Sequence, residues 1–238
     1  LEKQKQIANT LDKAQELIAL RKESISKLDE LSKSIFIDMF GDPVTNPKQL
    51  KMVKLGELTD IKTGKTPSRK EPLYWDNGTE NWATTTEVNK KLIFETSEKI
   101  TSFAVEKNNL TVYPIFTILM AMYGQGKTRG NVALLMEEST INQAFCAILP
   151  NENYNTYFIL SFLKNSYESL RSLGRGGNQE NLNLDIVKNF EVFLPSLEEQ
   201  NKFANKIEKI EQQKALYEEE LDKLQYNFDA LLQKSFQG

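Results

Sequence analysis

The sequence predicts an α+β protein in which one globular domain lies between two long coiled-coil helices. Three observations carry that prediction. The two ends of the chain repeat one another, both ends keep a helical apolar seam, and the middle is rich in turn residues, aromatics and short β-forming runs. The boundaries they imply are 1–41, 42–196 and 197–238.

Sliding the chain by 196 residues lays 1–41 on 197–237 without a gap, and twelve positions are then identical. Several identities, such as Gln4/Gln200, Asn9/Asn205 and Lys27/Lys223, lie off the apolar seam, where helix composition does not dictate them. The ends therefore read as a duplication.

In the first copy, alternating steps of four and three pick out Ile7, Leu11, Ala14, Ile18, Arg21, Ile25, Leu28, Ser32, Ile35 and Met39. In the second they pick out Phe203, Ile207, Ile210, Lys214, Tyr217, Leu221, Leu224, Phe228, Leu231 and Ser235. Eight of ten are apolar in each set, the pattern of a coiled-coil seam held for more than four heptads. Neither stretch has a proline or an interior glycine. Gly41 and Pro43 stop the first helix; Pro195 and Ser196 precede the second, with Ser196 and Glu199 spaced as a capping box. Helices of this length span roughly 55 Å at 1.5 Å per residue.

Between them, strands are expected at Phe116–Met122, Asn131–Leu135, Phe145–Leu149 and Phe190–Leu194, and a helix at Tyr157–Leu173. Hydrophobic residues make up 39% of the 238, enough for a real core. No apolar run approaches the roughly 20 residues needed to cross a bilayer. The single cysteine, Cys146, excludes an internal disulfide and fits a cytoplasmic protein. Histidine is absent, which removes His-based acid–base catalysis, His metal sites and Ser/His/Asp triads from this chain. The net charge of −3 does not by itself advertise a nucleic-acid partner. The acidic excess sits in 197–238, with 6 basic and 9 acidic side chains, whereas 42–196 holds 17 of each.

Three loops carry binding chemistry. The first gathers Lys62, Lys65, Thr66, Ser68, Arg69 and Lys70. The second, glycine-rich and basic, offers Tyr123, Gln125, Lys127, Thr128 and Arg129. The third runs from Arg171 to Asn183 and contains Arg175, Asn178 and Gln179. DNA phosphates are met by Lys, Arg, Ser, Thr and backbone N–H groups; base edges are met by Arg at guanine and by Asn or Gln at adenine. Arg129 and Gln125 are expected to set sequence preference, and Lys65 and Lys70 to add sequence-independent attraction.

Gly126-Lys127-Thr128 has the ending of a nucleotide-binding loop, but the glycine required five residues earlier is Ala121, and turn and strand follow where a helix is needed. Gly64-Lys65-Thr66 fails likewise, with Thr59 at that position. No adenine-methyltransferase motif, cofactor glycine loop or nuclease carboxylate–lysine set is present, so no catalysis, cofactor or metal is expected. Glu137-Glu138 reads as solvated surface, and Trp75 and Trp82 as core or loop anchors. The remaining alternative is a coiled-coil scaffold whose middle domain binds protein.

Several runs resemble one family. Thr63-Gly64-Lys65-Thr66-Pro67-Ser68, Tyr74-Trp75 and Asn81-Trp82 resemble the opening of a target-recognition domain in the specificity subunits of Type I restriction-modification enzymes. Tyr123 to Gly130 and Ile141-Asn142-Gln143-Ala144 resemble its middle signatures. Gln179 to Asn183 and Leu194 to Gln200 resemble the exit into a spacer helix. Lys65 stands where the family pattern expects a second glycine, a departure that bears on loop geometry. The resemblance implies a recognition domain that reads one half of a split site in double-stranded DNA. It also implies antiparallel spacer helices that set the gap between halves and dock methyltransferase (modification) subunits and, through them, restriction subunits. It implies one recognition domain with both helices, a half-length subunit or part of a longer chain. Two copies pairing through the seam residues of the helices would form a homodimer with a symmetric reader.

Overall fold

The computed structural model describes residues 2–124, 128–174 and 181–236. The chain begins in α1 (Glu2–Phe40), uninterrupted because nothing in it breaks a helix. The middle then runs β1 (Met52–Lys54), α2 (Leu55–Leu58), β2 (Ile61–Thr63), β3 (Glu80–Ala83), β4 (Leu92–Ile93), β5 (Lys99–Ile100) and α3 (Ser102–Lys107). It continues through β6 (Ile118–Ala121), β7 (Val132–Leu135), β8 (Thr140–Ile141), β9 (Phe145–Ile148), α4 (Thr156–Asn165), α5 (Tyr167–Leu173), α6 (Leu184–Asn189) and β10 (Glu191–Phe193). The chain then enters α7 (Leu197–Phe236). At its start Ser196 and Glu199 form the expected reciprocal cap, with Ser196 N–H donating to Glu199 Oε2 at 3.1 Å and Glu199 N–H to Ser196 Oγ at 3.3 Å.

Two compact units result, Leu1–Met39 with Phe203–Gly238, and Phe40–Lys202. In the first, α1 and α7 run antiparallel. Phe36 meets Phe203 edge-on at 5.5 Å, Asp29 pairs with Lys214, and Arg21 lies 4.1 Å over the Tyr217 ring and 2.6 Å from Glu220, so numbers fall along one helix as they rise along the other. Among the described residues no helix is long and apolar enough to cross a membrane.

The second unit is built on a five-stranded sheet in the order β2-β9-β6-β7-β4, antiparallel except for the β4–β7 pair. A three-stranded sheet, β5-β3-β8, and the β1–β10 pair complete it. Strands β6, β7 and β9 are buried throughout, which is why they read as continuous apolar runs (Ile-Leu-Met-Ala, Val-Ala-Leu-Leu, Phe-Cys-Ala-Ile) rather than alternating ones. Leu119, Ala133 and Ala147 enter one core cluster with Ile93 and Tyr113. A separate aromatic stack joins Phe40, Phe158, Phe162 and Phe193, with ring centroids 4.8 Å apart for Phe162–Phe193 and 5.0 Å for Phe40–Phe158. Each fully buried phenylalanine contributes roughly 1.5–3 kcal/mol.

All four strands expected from sequence are present in shortened form. The strand expected from Phe116 starts only at Ile118, because Phe116 takes a left-handed φ of 64° in a turn. The helix expected at 157–173 is two helices. It breaks at Ser166, whose φ of −94° and ψ of 8° make it the C-cap of α4 and the N-cap of α5.

Candidate nucleic-acid interface

Strand pairing brings the described parts of the first two sequence-predicted loops to one end of the five-stranded sheet, and both described ends of the third lie beside the second. Thr63 pairs with Cys146, Ala121 with Phe145, and Met120 with Val132. The first loop leaves β2 at this end, the second joins β6 to β7 across it, and residues 142–144 enter β9 from it. Thr66 Oγ1 donates to Gln143 Oε1, and Met122 N–H donates to Ala144 O at 2.8 Å, so that short segment ties the first loop to the second. Leu182 N–H donates to Met122 O at 3.1 Å, and the stem of Arg171 lies against Gly130, so both ends of the third loop meet the second.

The first loop is held by the domain beneath it. Gly64 is pressed on Ile141, where a Cβ would sit 1.9 Å from the carbonyl oxygen, so no other residue fits. Tyr113 OH donates to Thr63 O at 3.0 Å, Trp82 Nε1 to Lys65 O at 3.2 Å, and Trp75 Nε1 to Ser68 O at 2.9 Å. Lys65, which departs from the family glycine, keeps a negative φ and donates its N–H to Ile141 O at 3.0 Å. Its side chain is exposed, as are those of Lys62, Thr66, Ser68 and Lys70. Lys62 lies 3.8 Å from Asp60; Lys65 and Lys70 have no ion-pair partner among the described residues. Arg69 is different. Its guanidinium donates to both oxygens of Glu98 and lies 3.8 Å over Trp75 and 4.8 Å over Trp82, which makes it the clamp of this loop.

In the second loop Tyr123 is 39% exposed, and Thr128 and Arg129 are half-buried. Gly130 turns the chain at φ +82°, donating its N–H to Ala121 O at 2.8 Å. Gln125, Lys127, Arg175, Asn178 and Gln179 lie outside the described residues. Asn183, at the end of the third loop, caps α6 by accepting from Ile186 N–H at 2.9 Å. Sequence reasoning did not name Gln143, Glu98 or Arg171 among the site residues, although the quoted Ile141-Asn142-Gln143-Ala144 run pointed toward the first and Arg171 opened the third loop.

Two buried acids have local roles. Glu87 accepts from Thr84 N–H and Ser97 N–H at 2.9 and 3.0 Å and from the Thr84 and Thr86 hydroxyls. Burial pushes its carboxyl up, but the Ser97 and Thr84 donors together hold it below the usual carboxylate range. Burial pushes the Cys146 thiol up to about 12, so it is no nucleophile in the folded protein. Among the described residues no group of acids and cysteine is placed to hold a metal.

The helix seam is occupied within one chain. Ile18, Phe203, Ile207 and Ile210 are buried; Ile7, Leu11, Ile25, Leu28, Ile35, Leu221, Leu224 and Phe228 are half-buried, and Leu231 is 37% exposed. Leu17, Leu20, Leu216 and Tyr226 remain exposed away from the seam, at 52%, 51%, 56% and 75%.

The chain is thus an α+β domain with polar, cation-bearing loops at one sheet end, preceded and followed in sequence by two long helices that run antiparallel. The family model of the Type I restriction modification DNA specificity domain matches residues 47–226, and the chain belongs to that family. It is 29% identical over 163 residues to the Type I restriction enzyme MjaIX specificity subunit of Methanocaldococcus jannaschii, covering 66% of this chain and 37% of that protein. It is 23% identical over 214 residues to the Type I restriction enzyme EcoR124I/EcoR124II specificity subunit of Escherichia coli, covering 87% of this chain and 52% of that one. Its fold is similar to the crystal structure of a Type I restriction-modification S subunit from M. genitalium, with a TM-score of 0.70, 18% identity, and coverage of 98% of this chain and 60% of that one. The chain thus spans about half the length of the curated relatives or less.

Proposed function

We propose that this chain reads one half of a bipartite site in double-stranded DNA on behalf of a Type I restriction-modification assembly. The observation that carries this reading is the meeting of the described parts of three loops at one end of the five-stranded sheet in a chain of the specificity-domain family. Residues 42–196 serve as the recognition domain, and 1–41 and 197–238 as spacer helices. Exposed Lys65 and Lys70 attract the phosphate backbone, and half-buried Arg129 presents a fork that fits a guanine edge. Arg69, neutralised by Glu98, holds the loop instead of touching DNA.

The chain performs no chemistry of its own in this reading; methylation and restriction belong to partner subunits. Because the seam is filled within the chain, a methyltransferase subunit or a second copy meets the outer helix faces, where Leu20 and its repeat equivalent Leu216 are exposed. Affinity selection from a randomised duplex pool tests DNA reading directly. Enrichment of a short motif, lost in Arg129→Ala, supports it. An unenriched pool, with wild-type retention unchanged in Lys65→Ala/Lys70→Ala, contradicts it.

A further inference from the structure

Of the three loop arginines in the described structure, one is neutralised and two are not. Arg69 is paired end-on with Glu98 through both Nη atoms. Arg129 and Arg171 have no carboxylate partner among the described residues, and the Nε of each is buried without an acceptor there. A guanidinium N–H withdrawn from water and left without a partner is costly, and each such group in a folded protein calls for an explanation.

Arg171 is also held in place. It stands in the last turn of α5, one turn after Tyr167. Its Nη1 donates to Tyr167 OH at 2.5 Å, and its guanidinium carbon lies 5.3 Å from that ring's centroid. Its stem runs along Gly130, where a Cβ would approach Arg171 Cγ to 3.1 Å, next in sequence to Arg129. A tyrosine hydroxyl is a neutral acceptor, so it orients the fork and leaves the positive charge uncompensated.

Resting on the DNA-reading proposal, we infer that Arg171 is a phosphate anchor that grips the DNA backbone beside Arg129, with Tyr167 as its positioning residue. A charge immobilised by its own protein suits the backbone, whose geometry is alike for every sequence; Arg129 remains to read the base. The nonlocal contact at Gly130 sets the register between the two arginines.

The test uses the full chain and several unrelated labelled duplexes of about 30 base pairs, with affinity followed as salt is raised. Arg171→Gln is expected to weaken binding about tenfold on every duplex and to lower the slope of log affinity against log salt by about 1. Arg171→Lys retains the slope while losing part of the affinity, and Tyr167→Phe does the same because the charge stays and only its orientation is lost. A urea melt of each variant separates this from unfolding: an unfolded Arg171→Gln leaves the Lys and Phe variants to decide. Wild-type affinity and slope in Arg171→Gln overturn the inference, as does a loss confined to one sequence with the slope unchanged. If the unaltered chain binds no duplex, the DNA reading itself falls, an outcome read before any variant is made.

Discussion

Arg69 and Glu98, 29 residues apart, are joined fork to fork: Nη1 donates to Oε2, and Nη2 donates to Oε1 at 3.1 Å. The same guanidinium covers the Trp75 ring at 3.8 Å, and Trp75 and Trp82 meet edge-on at 5.1 Å. The first of the three loops that the sequence marks for DNA contact is thus built around an arginine whose charge is already matched.

Replacing Arg69 and Glu98 together by Gln is therefore expected to cost stability and leave the electrostatics of DNA binding alone. The pair is partly exposed, so the loss is about 1 kcal/mol, most of it from the planar stack and the second hydrogen bond. Urea melts read the first effect. The salt dependence of duplex binding reads the second, and a slope reduced by about 1 would return Arg69 to the DNA contacts.

Gly64→Ala tests the close approach to Ile141. The added methyl meets the backbone and side chain of Ile141, so the loop must shift, at about 1–3 kcal/mol or more. A variant as stable as the parent in urea, with unchanged DNA affinity, would show that the loop is not wedged there.

Lys214 has a side chain only 2% exposed, in a seam position that the repeat matches to Ile18. It pairs with Asp29 and lies 3.5 Å from Glu211. Lys214→Ala takes a cation away from buried Glu211 and half-exposed Asp29 and, with solvent screening at Asp29, is expected to cost about 1–3 kcal/mol, whereas Lys214→Met with Asp29→Leu and Glu211→Leu is expected to be neutral or stabilising. Thermal melts of the two variants give the comparison; equal losses would contradict it.

Glu87 predicts the acid limb of the stability curve. Its folded carboxyl titrates below the ordinary value of 4.5, so its contribution is complete above that pH and is lost as the pH falls through the lower folded value. Glu87→Gln should lose about 1–3 kcal/mol near neutrality, because the amide cannot accept all four donors. It should also flatten the decline of the urea midpoint from about pH 5 to about pH 3. Parallel curves for parent and variant would remove Glu87 from the acid response.

The long helices were legible because one periodicity, repeated at both ends, needs no tertiary information. The buried strands were legible as apolar runs, but their limits were not: Phe116 takes a left-handed turn that its β-forming chemistry conceals, and Ser166 breaks a helix with no proline or glycine to announce it. Site chemistry was legible as composition only. Nothing near Arg69 in sequence marks Glu98 as its partner, and Arg171 gains its setting from Gly130, 41 residues earlier. Pairings of that kind are decided by sheet register, which brings Thr63, Ala121 and Phe145 to one end.

The most direct measurement mixes this chain with the cognate methyltransferase subunit, treats unmethylated DNA, and sequences the methylated adenines. Methylation confined to a short motif, dependent on this chain and shifted or lost in Arg129→Ala, is the predicted result. A stable complex that methylates without sequence preference, or a motif unchanged by every loop variant, would contradict DNA reading by this domain.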